Sequence, residues 1–209
     1  MAVIHNTELK PSKLELLAVW LPSRAWYRGT DEPELAKAGG FRLDDPEGEV
    51  GMEFMVVTDS SGDEPVTYLV PLTYRGAPLD GAEDALVGTM EHGVLGRRWA
   101  YDGYQDPVLV AQLLALIEGR AEAQHQNQSD TPDREVTRAY SGAGFDPAVL
   151  TAIDDEDGTE LRGPQGTAVR LNRVLRSTSD LPEGATGHLS GAWTAPDGTA
   201  THGLFAVTR

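Results

Sequence analysis

Apolar and polar residues alternate along two neighbouring runs in the first half of the chain, within residues 50–75. A polar turn, residues 59–63, separates the two runs. Every second residue of each run is apolar or aromatic: Val50, Met52, Phe54 and Val56 in the first, and Val66, Tyr68, Val70, Leu72 and Tyr74 in the second. This period-two pattern around a cluster of turn-forming residues predicts a β-hairpin within an antiparallel sheet.

The opposite face of this hairpin mixes polar side chains with Met55, Val57 and Leu69, so we expect it to be half covered. The second run also contains Pro71. Because proline has no backbone N–H to donate, we expect Pro71 at a sheet edge or at a β-bulge.

Two helices are predicted, and each has a recognisable start. The first begins after Ser12, a residue type that caps helices, and stops at Pro22. It is apolar around most of its surface, so Trp20 within it should be buried. The second begins at Asp106 and Pro107, an N-cap residue followed by proline in the first turn, and continues to residue 121.

Shorter strands are predicted elsewhere, whereas residues 31–39 are polar and indicate a loop. The predicted strands are residues 41–44, 86–90, 97–101, 167–176, 187–194 and 202–208. The last two flank a turn at residues 196–198, and this hairpin would let His188 and His202 face each other.

These elements predict an α+β fold, with antiparallel sheets and two main helices, in two parts. Residues 1–122 contain both helices and form the larger part, and residues 136–209 form a smaller β-rich C-terminal part. Residues 123–135 contain several Gln, Asn and Asp and no large apolar side chain, so we expect an exposed polar linker.

Composition and net charge indicate which partners and which cellular location to expect. The net charge of −16 repels phosphate backbones and anionic lipids, so we expect neither a nucleic acid nor a membrane as a partner. The chain has no cysteine, no apolar run of about 20 residues and no signal-peptide pattern at its start, which together indicate a cytoplasmic protein.

No catalytic signature is recognisable. A phosphate-binding loop is absent because no lysine follows Lys37, and the five histidines show no metal-ligand spacing. Residues 142–147 begin like a dinucleotide-binding loop, but Pro147 stands where the third glycine belongs, so a loop that caps a short helix is favoured. We therefore assign no catalytic residue, no metal ligand and no cofactor from the sequence.

The order of several motifs resembles the N-terminal cap domain of actinobacterial maltokinases, enzymes that phosphorylate maltose with ATP. The likeness covers residues 9–122. It rests on Trp20-Leu21-Pro22, Arg24-Ala25-Trp26-Tyr27, the stretch from Tyr68 to Arg75, Tyr101-Asp102-Gly103 and Asp106-Pro107. The resemblance implies an α+β unit with a curved antiparallel sheet, which in maltokinases lies against the amino-terminal lobe of the kinase.

The kinase core that follows the cap in maltokinases has no counterpart in this sequence, so none of that family's catalytic residues can be assigned. The resemblance implies a non-catalytic accessory or regulatory protein linked to trehalose, maltose or glucan metabolism, with a protein partner. The alternatives are a module that binds α-glucan on exposed aromatic rings and, less favoured, an enzyme of glucan branching. We expect Trp26, Tyr27 and Arg28 to form the binding site, because Trp, Tyr and Arg are favoured interface anchors. The sequence leaves the oligomeric state open.

Overall fold

The computed structural model describes residues 9–209, except for the side chains of Val149 and Gln165. Within these residues the chain forms two α-helices, several short 3₁₀ turns and a large antiparallel sheet. The elements are β1 (Leu9–Lys10), α1 (Lys13–Trp20), β2 (Leu35–Leu43), β3 (Gly51–Asp59), β4 (Val66–Arg75), β5 (Leu86–His92), β6 (Gly96–Asp102), α2 (Pro107–Glu118), β7 (Gln124–His125), β8 (Thr137–Tyr140), β9 (Thr151–Asp154), β10 (Gly158–Arg162), β11 (Ala168–Asn172), β12 (Gly187–Thr194) and β13 (Ala200–Thr208). Neither helix is long and apolar enough to cross a membrane.

The strands lie in the order β1-β5-β6-β4-β3-β2-β12-β13-β11-β10-β9, with β7 paired to β2 and β8 paired to β12. The predicted α+β class with an antiparallel sheet is therefore confirmed. The N-terminal and C-terminal strands meet where β12 pairs with β2, through a single register position, Trp193 opposite Gly39. Because this pairing is so short, the C-terminal strands need further contacts with the N-terminal strands to stay in place.

The central hairpin, β3 and β4, is confirmed, and both of its faces are buried. Phe54 and Val56 pack in a core that includes α2, whereas Met55 and Val57 pack in a second core beneath α1. The prediction of a half-covered second face is wrong, because the two helices lie on opposite sides of the hairpin. Trp20 is only 6% exposed, as predicted, and belongs to the core beneath α1.

Pro71 lies at a gap in the pairing of β4. On the side away from β3, β6 pairs only with residues 72–75 of β4, and residues 173–175 bond to residues 67–69. The N–H groups of alternate strand residues point to the same side, and the Leu69 N–H points to that side to reach the Arg173 carbonyl. The nitrogen of Pro71 therefore faces the gap between two neighbours, where no donor is needed.

Both helix starts are as predicted. Ser12 and Glu15 form a reciprocal capping box at α1, and the Asp106 side chain accepts a hydrogen bond from the Val108 N–H at α2. Helix α2 ends earlier than predicted, at Glu118. Gly119 follows with a φ of 83°, a left-handed conformation that favours glycine and ends helices.

Two predictions for strands need correction. Strand β2 begins at Leu35, within the predicted loop. A bulge between Lys37 and Gly39 interrupts the alternation of apolar and polar residues, so the pattern did not predict a strand here. In the last hairpin, His188 lies opposite Val207 and His202 lies opposite Ala192, so the two histidines do not face each other. The register of that hairpin, which includes a bulge after Leu189, separates them along the strands.

The first residues of the predicted linker, 123–135, pack against the rest of the chain. Ala123 is 5% exposed, and β7 pairs with β2. The Gln126 amide donates a 2.7 Å hydrogen bond to the buried carboxylate of Glu53. The prediction of an exposed linker does not hold for these first residues, because β2 offers them a strand edge and Glu53 offers an acceptor. The division into residues 1–122, 123–135 and 136–209 stays a prediction.

Candidate functional site

The three predicted binding residues lie between the hairpin and the C-terminal strands. Trp26 is 0% exposed, with its ring 5.8 Å from that of Trp20 and 5.7 Å from that of Tyr68. Its other neighbour is the Arg173 guanidinium, 4.8 Å from the ring centre. Trp26 therefore has no surface to offer a partner in this structure, and its interpretation as an interface anchor is corrected to a core residue.

Tyr27 and Arg28 are more accessible than Trp26. The Tyr27 hydroxyl donates a 2.6 Å hydrogen bond to the Asp59 carboxylate, and burial together with this bond raises the pKa of Tyr27. The Arg28 side chain is exposed and forms an ion pair with Asp157, while its backbone N–H donates to the Tyr68 hydroxyl at 2.9 Å. Arg28 thus connects the segment after α1 to the turn between β9 and β10.

The buried side chain of Arg173 also joins the segment after α1 to the C-terminal strands. Arg173 is 0% exposed, and its Nη2 donates to both carboxylate oxygens of Asp102, at 2.7 and 2.6 Å. Its Nε donates to the Thr159 hydroxyl at 2.8 Å. The guanidinium carbon lies 4.8 Å from the Trp26 ring centre and 4.4 Å from that of Tyr104. We call Arg173, Asp102, Thr159, Trp26 and Tyr104 the arginine joint.

The backbone brings Arg173 to this place. The Leu69 N–H donates to the Arg173 carbonyl and the Leu175 N–H donates to the Thr67 carbonyl, so residues 173–175 pair with β4. Asp102 lies at the end of β6, opposite Leu72 of the same strand β4. The two charged residues therefore lie along the same edge of β4, one on each side of the gap at Pro71.

The joint is electrostatically costly and incompletely hydrogen-bonded. Burial raises the pKa of Asp102, and the positive charge of Arg173 acts against this rise. Among the described residues, Arg173 Nη1, Trp26 Nε1 and the Tyr104 hydroxyl have no hydrogen-bond partner, although all three atoms are buried. Buried polar atoms without partners are rare and cost free energy, so the joint has capacity for further hydrogen bonds.

A second arginine–aspartate pair lies nearby. Arg75 Nε donates to Asp106 Oδ2 at 2.6 Å, and its Nη2 donates to Oδ1 at 2.7 Å. The same Asp106 carboxylate caps α2 through the Val108 N–H at 3.0 Å. This pair fixes the start of α2 to the end of β4.

The aromatic residues that would form a sugar platform are mostly inside the fold. Trp26 and Tyr101 are buried, and the Tyr101 hydroxyl accepts a hydrogen bond from the Leu79 N–H at 2.9 Å. Trp99 is half-buried, with the Arg97 guanidinium 5.6 Å from its ring centre. Within residues 9–209, no group of three or more His, Asp or Glu side chains is placed to hold a metal ion.

Comparison with known protein families identifies one region of the chain. Residues 20–106 match the family model of the maltokinase N-terminal cap domain. This match confirms the resemblance to the cap and includes Trp26, Arg75, Asp102 and Asp106, but it covers less than half of the chain. A search of curated proteins finds no match.

The sequence analysis missed the role of Arg173, although a signal was present. Val169 and Leu171 are fully buried on the inward face of β11, and Arg173 continues their period-two spacing. An arginine at an inward position indicates a buried ion pair, because a lone buried charge is too costly. Asp102 was part of the recognised cap motif, but nothing in the sequence identified it as the partner.

Proposed function

We propose that this chain is a non-catalytic accessory protein that acts by docking to another protein of maltose, trehalose or α-glucan metabolism. The observation that carries the proposal is the match of residues 20–106 to the maltokinase cap domain. In maltokinases, as the resemblance implies, this domain lies against the kinase lobe and is not the catalytic part. Outside residues 20–106 the described chain forms most of α1, helix α2 and further strands. A cap-like region beside these elements supports a docking role over catalysis.

The contacts of the matched region support this reading. Trp26, Asp102 and Asp106 of the cap motifs are buried, and each holds one part of the fold to another. Their chemistry is used for packing and ion pairing, so recognition of a partner falls to exposed neighbours. Of the three predicted anchors, Arg28 keeps an exposed side chain and Tyr27 is half-buried.

Charge indicates the kind of partner surface. The net charge of −16 produces a field that steers basic surfaces towards the chain and repels acidic ones. We therefore expect the partner to present a basic patch, and we expect association to slow as salt is added.

The test is direct binding between the purified chain and purified enzymes of trehalose, maltose and α-glucan metabolism from the same organism, measured by biolayer interferometry at two salt concentrations. The expected result is saturable, salt-sensitive binding to one of these enzymes. The chain alone should neither bind ATP with Mg²⁺ nor phosphorylate maltose.

The matched variants are Arg28→Ala and Arg134→Ala, since both side chains are exposed and Arg134 is not among the predicted anchors. Arg28→Ala should weaken the binding and Arg134→Ala should leave it unchanged. The proposal fails if no enzyme of the panel binds, if the chain phosphorylates maltose, or if it binds maltooligosaccharides stoichiometrically instead.

A further inference from the structure

A cleft of about 310 Å³ opens on the outward side of β11 and β13. Its floor is apolar and consists of Val174, Leu204 and Val207, which are all less than 10% exposed. Residues 174–182, which lead from β11 towards β12, bound one side of the cleft. The shape is that of a concave surface, open to solvent, with enough volume for a small organic molecule.

Three arginines line this cleft in a chain that is strongly acidic as a whole. Arg170 is fixed by Asp155 through two hydrogen bonds from its guanidinium. Arg176 donates a single hydrogen bond to Asp157, at 3.1 Å. Within residues 9–209 the Arg209 side chain has no hydrogen-bond or ion-pair partner. Since a guanidinium has five N–H donors, Arg176 and Arg209 keep most of theirs for a ligand.

The remaining polar groups add to this arrangement. Asn172 and Thr178 line the cleft beside the arginines, and Asp157 and Asp180 contribute carboxylates. The Asp157 carboxylate is paired with Arg28 and Arg176. Guanidinium groups bind phosphate and carboxylate oxygens through paired hydrogen bonds, and carboxylates, amides and hydroxyls bind the hydroxyl groups of a polyol. Arginines around an apolar floor thus suit a ligand with an anionic end and a hydroxylated carbon body.

We propose that this cleft binds a small molecule that carries an oxyanion, phosphate or carboxylate, on a hydroxylated body. A large polyanion is a poor fit, because the net charge of −16 repels it over distances at which three arginines cannot compensate. A small anion that enters the cleft meets the arginines at contact distance. Of the two carboxylates in the lining, Asp157 is already paired with Arg28 and Arg176, and Asp180 can accept hydrogen bonds from the hydroxyl groups of the ligand. The repulsion from distant carboxylates is screened.

The test is isothermal titration calorimetry on the intact chain with four probes: glucose 6-phosphate, gluconate, glucose and inorganic phosphate. We expect glucose 6-phosphate or gluconate to bind with a Kd below about 1 mM, and to bind more tightly than glucose and inorganic phosphate. The better of the two identifies the oxyanion. Binding should weaken when salt is raised, because the contacts are ionic and the cleft is open.

The variants are Arg176→Gln and Arg209→Gln, which remove the charge and keep side chains of comparable length. Each should weaken binding by at least about tenfold, since each removes charge-assisted hydrogen bonds. Arg134→Gln is the matched control, because this exposed arginine does not line the cleft, and it should bind as the wild type does.

The proposal is overturned if none of the four probes binds, or if the neutral sugar binds as tightly as its anionic forms. It is also overturned if inorganic phosphate binds as tightly as glucose 6-phosphate, which would mean an adventitious ion only, or if both cleft variants bind like the wild type. The experiment needs no protein partner, so its result is independent of the docking role proposed above.

Discussion

Two arginine–aspartate pairs hold the stretch at residues 102–106, and they differ in what surrounds them. Asp106 is 0% exposed, but its partner Arg75 has a side chain that is 21% exposed. Asp102 pairs with Arg173, whose side chain is 0% exposed. The first pair joins elements within the cap-like region, whereas the second joins that region to the C-terminal strands.

The two pairs also differ in how fully they are hydrogen-bonded. Arg75 and Asp106 form a two-bond fork, and Asp106 additionally caps α2. Arg173 uses one nitrogen for both oxygens of Asp102 and leaves Nη1 without a partner among the described residues. When Asp106 is lost, the partly exposed Arg75 can be rehydrated, whereas loss of Arg173 leaves the Asp102 carboxylate, whose side chain is only 9% exposed. The arginine joint should therefore be the more sensitive of the two.

The largest effect is expected for Arg173→Ala. The substitution leaves the Asp102 carboxylate buried without its partner, which costs about 3–5 kcal/mol of unfolding free energy. Urea unfolding followed by tryptophan fluorescence measures this change. The matched control Arg134→Ala removes an exposed arginine and should change stability by less than about 0.5 kcal/mol.

A pH series sharpens this prediction through Asp102. Burial already raises the pKa of Asp102, and loss of the Arg173 charge raises it further. A carboxyl whose pKa is higher in the folded state gains stability as the pH falls from its folded pKa towards its unfolded pKa of about 3.9. The substitution Arg173→Met keeps the packing between the rings of Trp26 and Tyr104. Its loss of unfolding free energy relative to the wild type should therefore be smaller at low pH. An equal deficit at all pH values would show that the lone carboxylate is not the cause.

Asp106→Ala should lower the free energy of unfolding by about 2–3 kcal/mol, which is less than the loss expected for Arg173→Ala. The substitution removes an N-cap, which typically costs about 0.5–2 kcal/mol, and hydrogen bonds to a charged group. Asp106→Asn keeps the capping oxygen and loses the charge, so it should recover part of the difference. If Asp106→Ala were more damaging than Arg173→Ala in the same urea titration, the ranking of the two pairs by burial would be wrong.

The two pairs also show how far the sequence could predict this molecule. The start of α2 was predictable because the signal, aspartate before proline, is local. The central hairpin was predictable because its alternation is regular, and the match to the cap domain includes the hairpin and ends at Asp106. The contact between Asp102 and Arg173 spans 71 residues and leaves the matched region, so neither periodicity nor family resemblance indicated it.

The same reasoning explains the errors at the candidate site. An aromatic residue in an irregular segment suits an interface and a core equally well, and only the position of its neighbours decides between them. For Trp26 those neighbours include Tyr68 and Arg173, which are distant in sequence. The arginine cleft was not predictable either, because Arg170, Arg176 and Arg209 come together only through the pairing of β11 with β13.

The smallest effect is expected for Arg28→Ala, which breaks the surface contact between the same two parts of the chain. The side chains of Arg28 and Asp157 are 41% and 53% exposed, and Asp157 keeps a hydrogen bond from Arg176 when Arg28 is lost. Exposed ion pairs contribute about 0.2–1 kcal/mol, so unfolding free energy should fall by less than about 1 kcal/mol. The loss should disappear in 1 M salt, where the Debye length is only about 3 Å. A loss above about 2 kcal/mol, or one that salt does not reduce, would mean that the two parts are joined at the surface rather than by Arg173. A small loss would also make Arg28→Ala a folded reagent for the docking test, because weaker binding could then be attributed to the missing side chain.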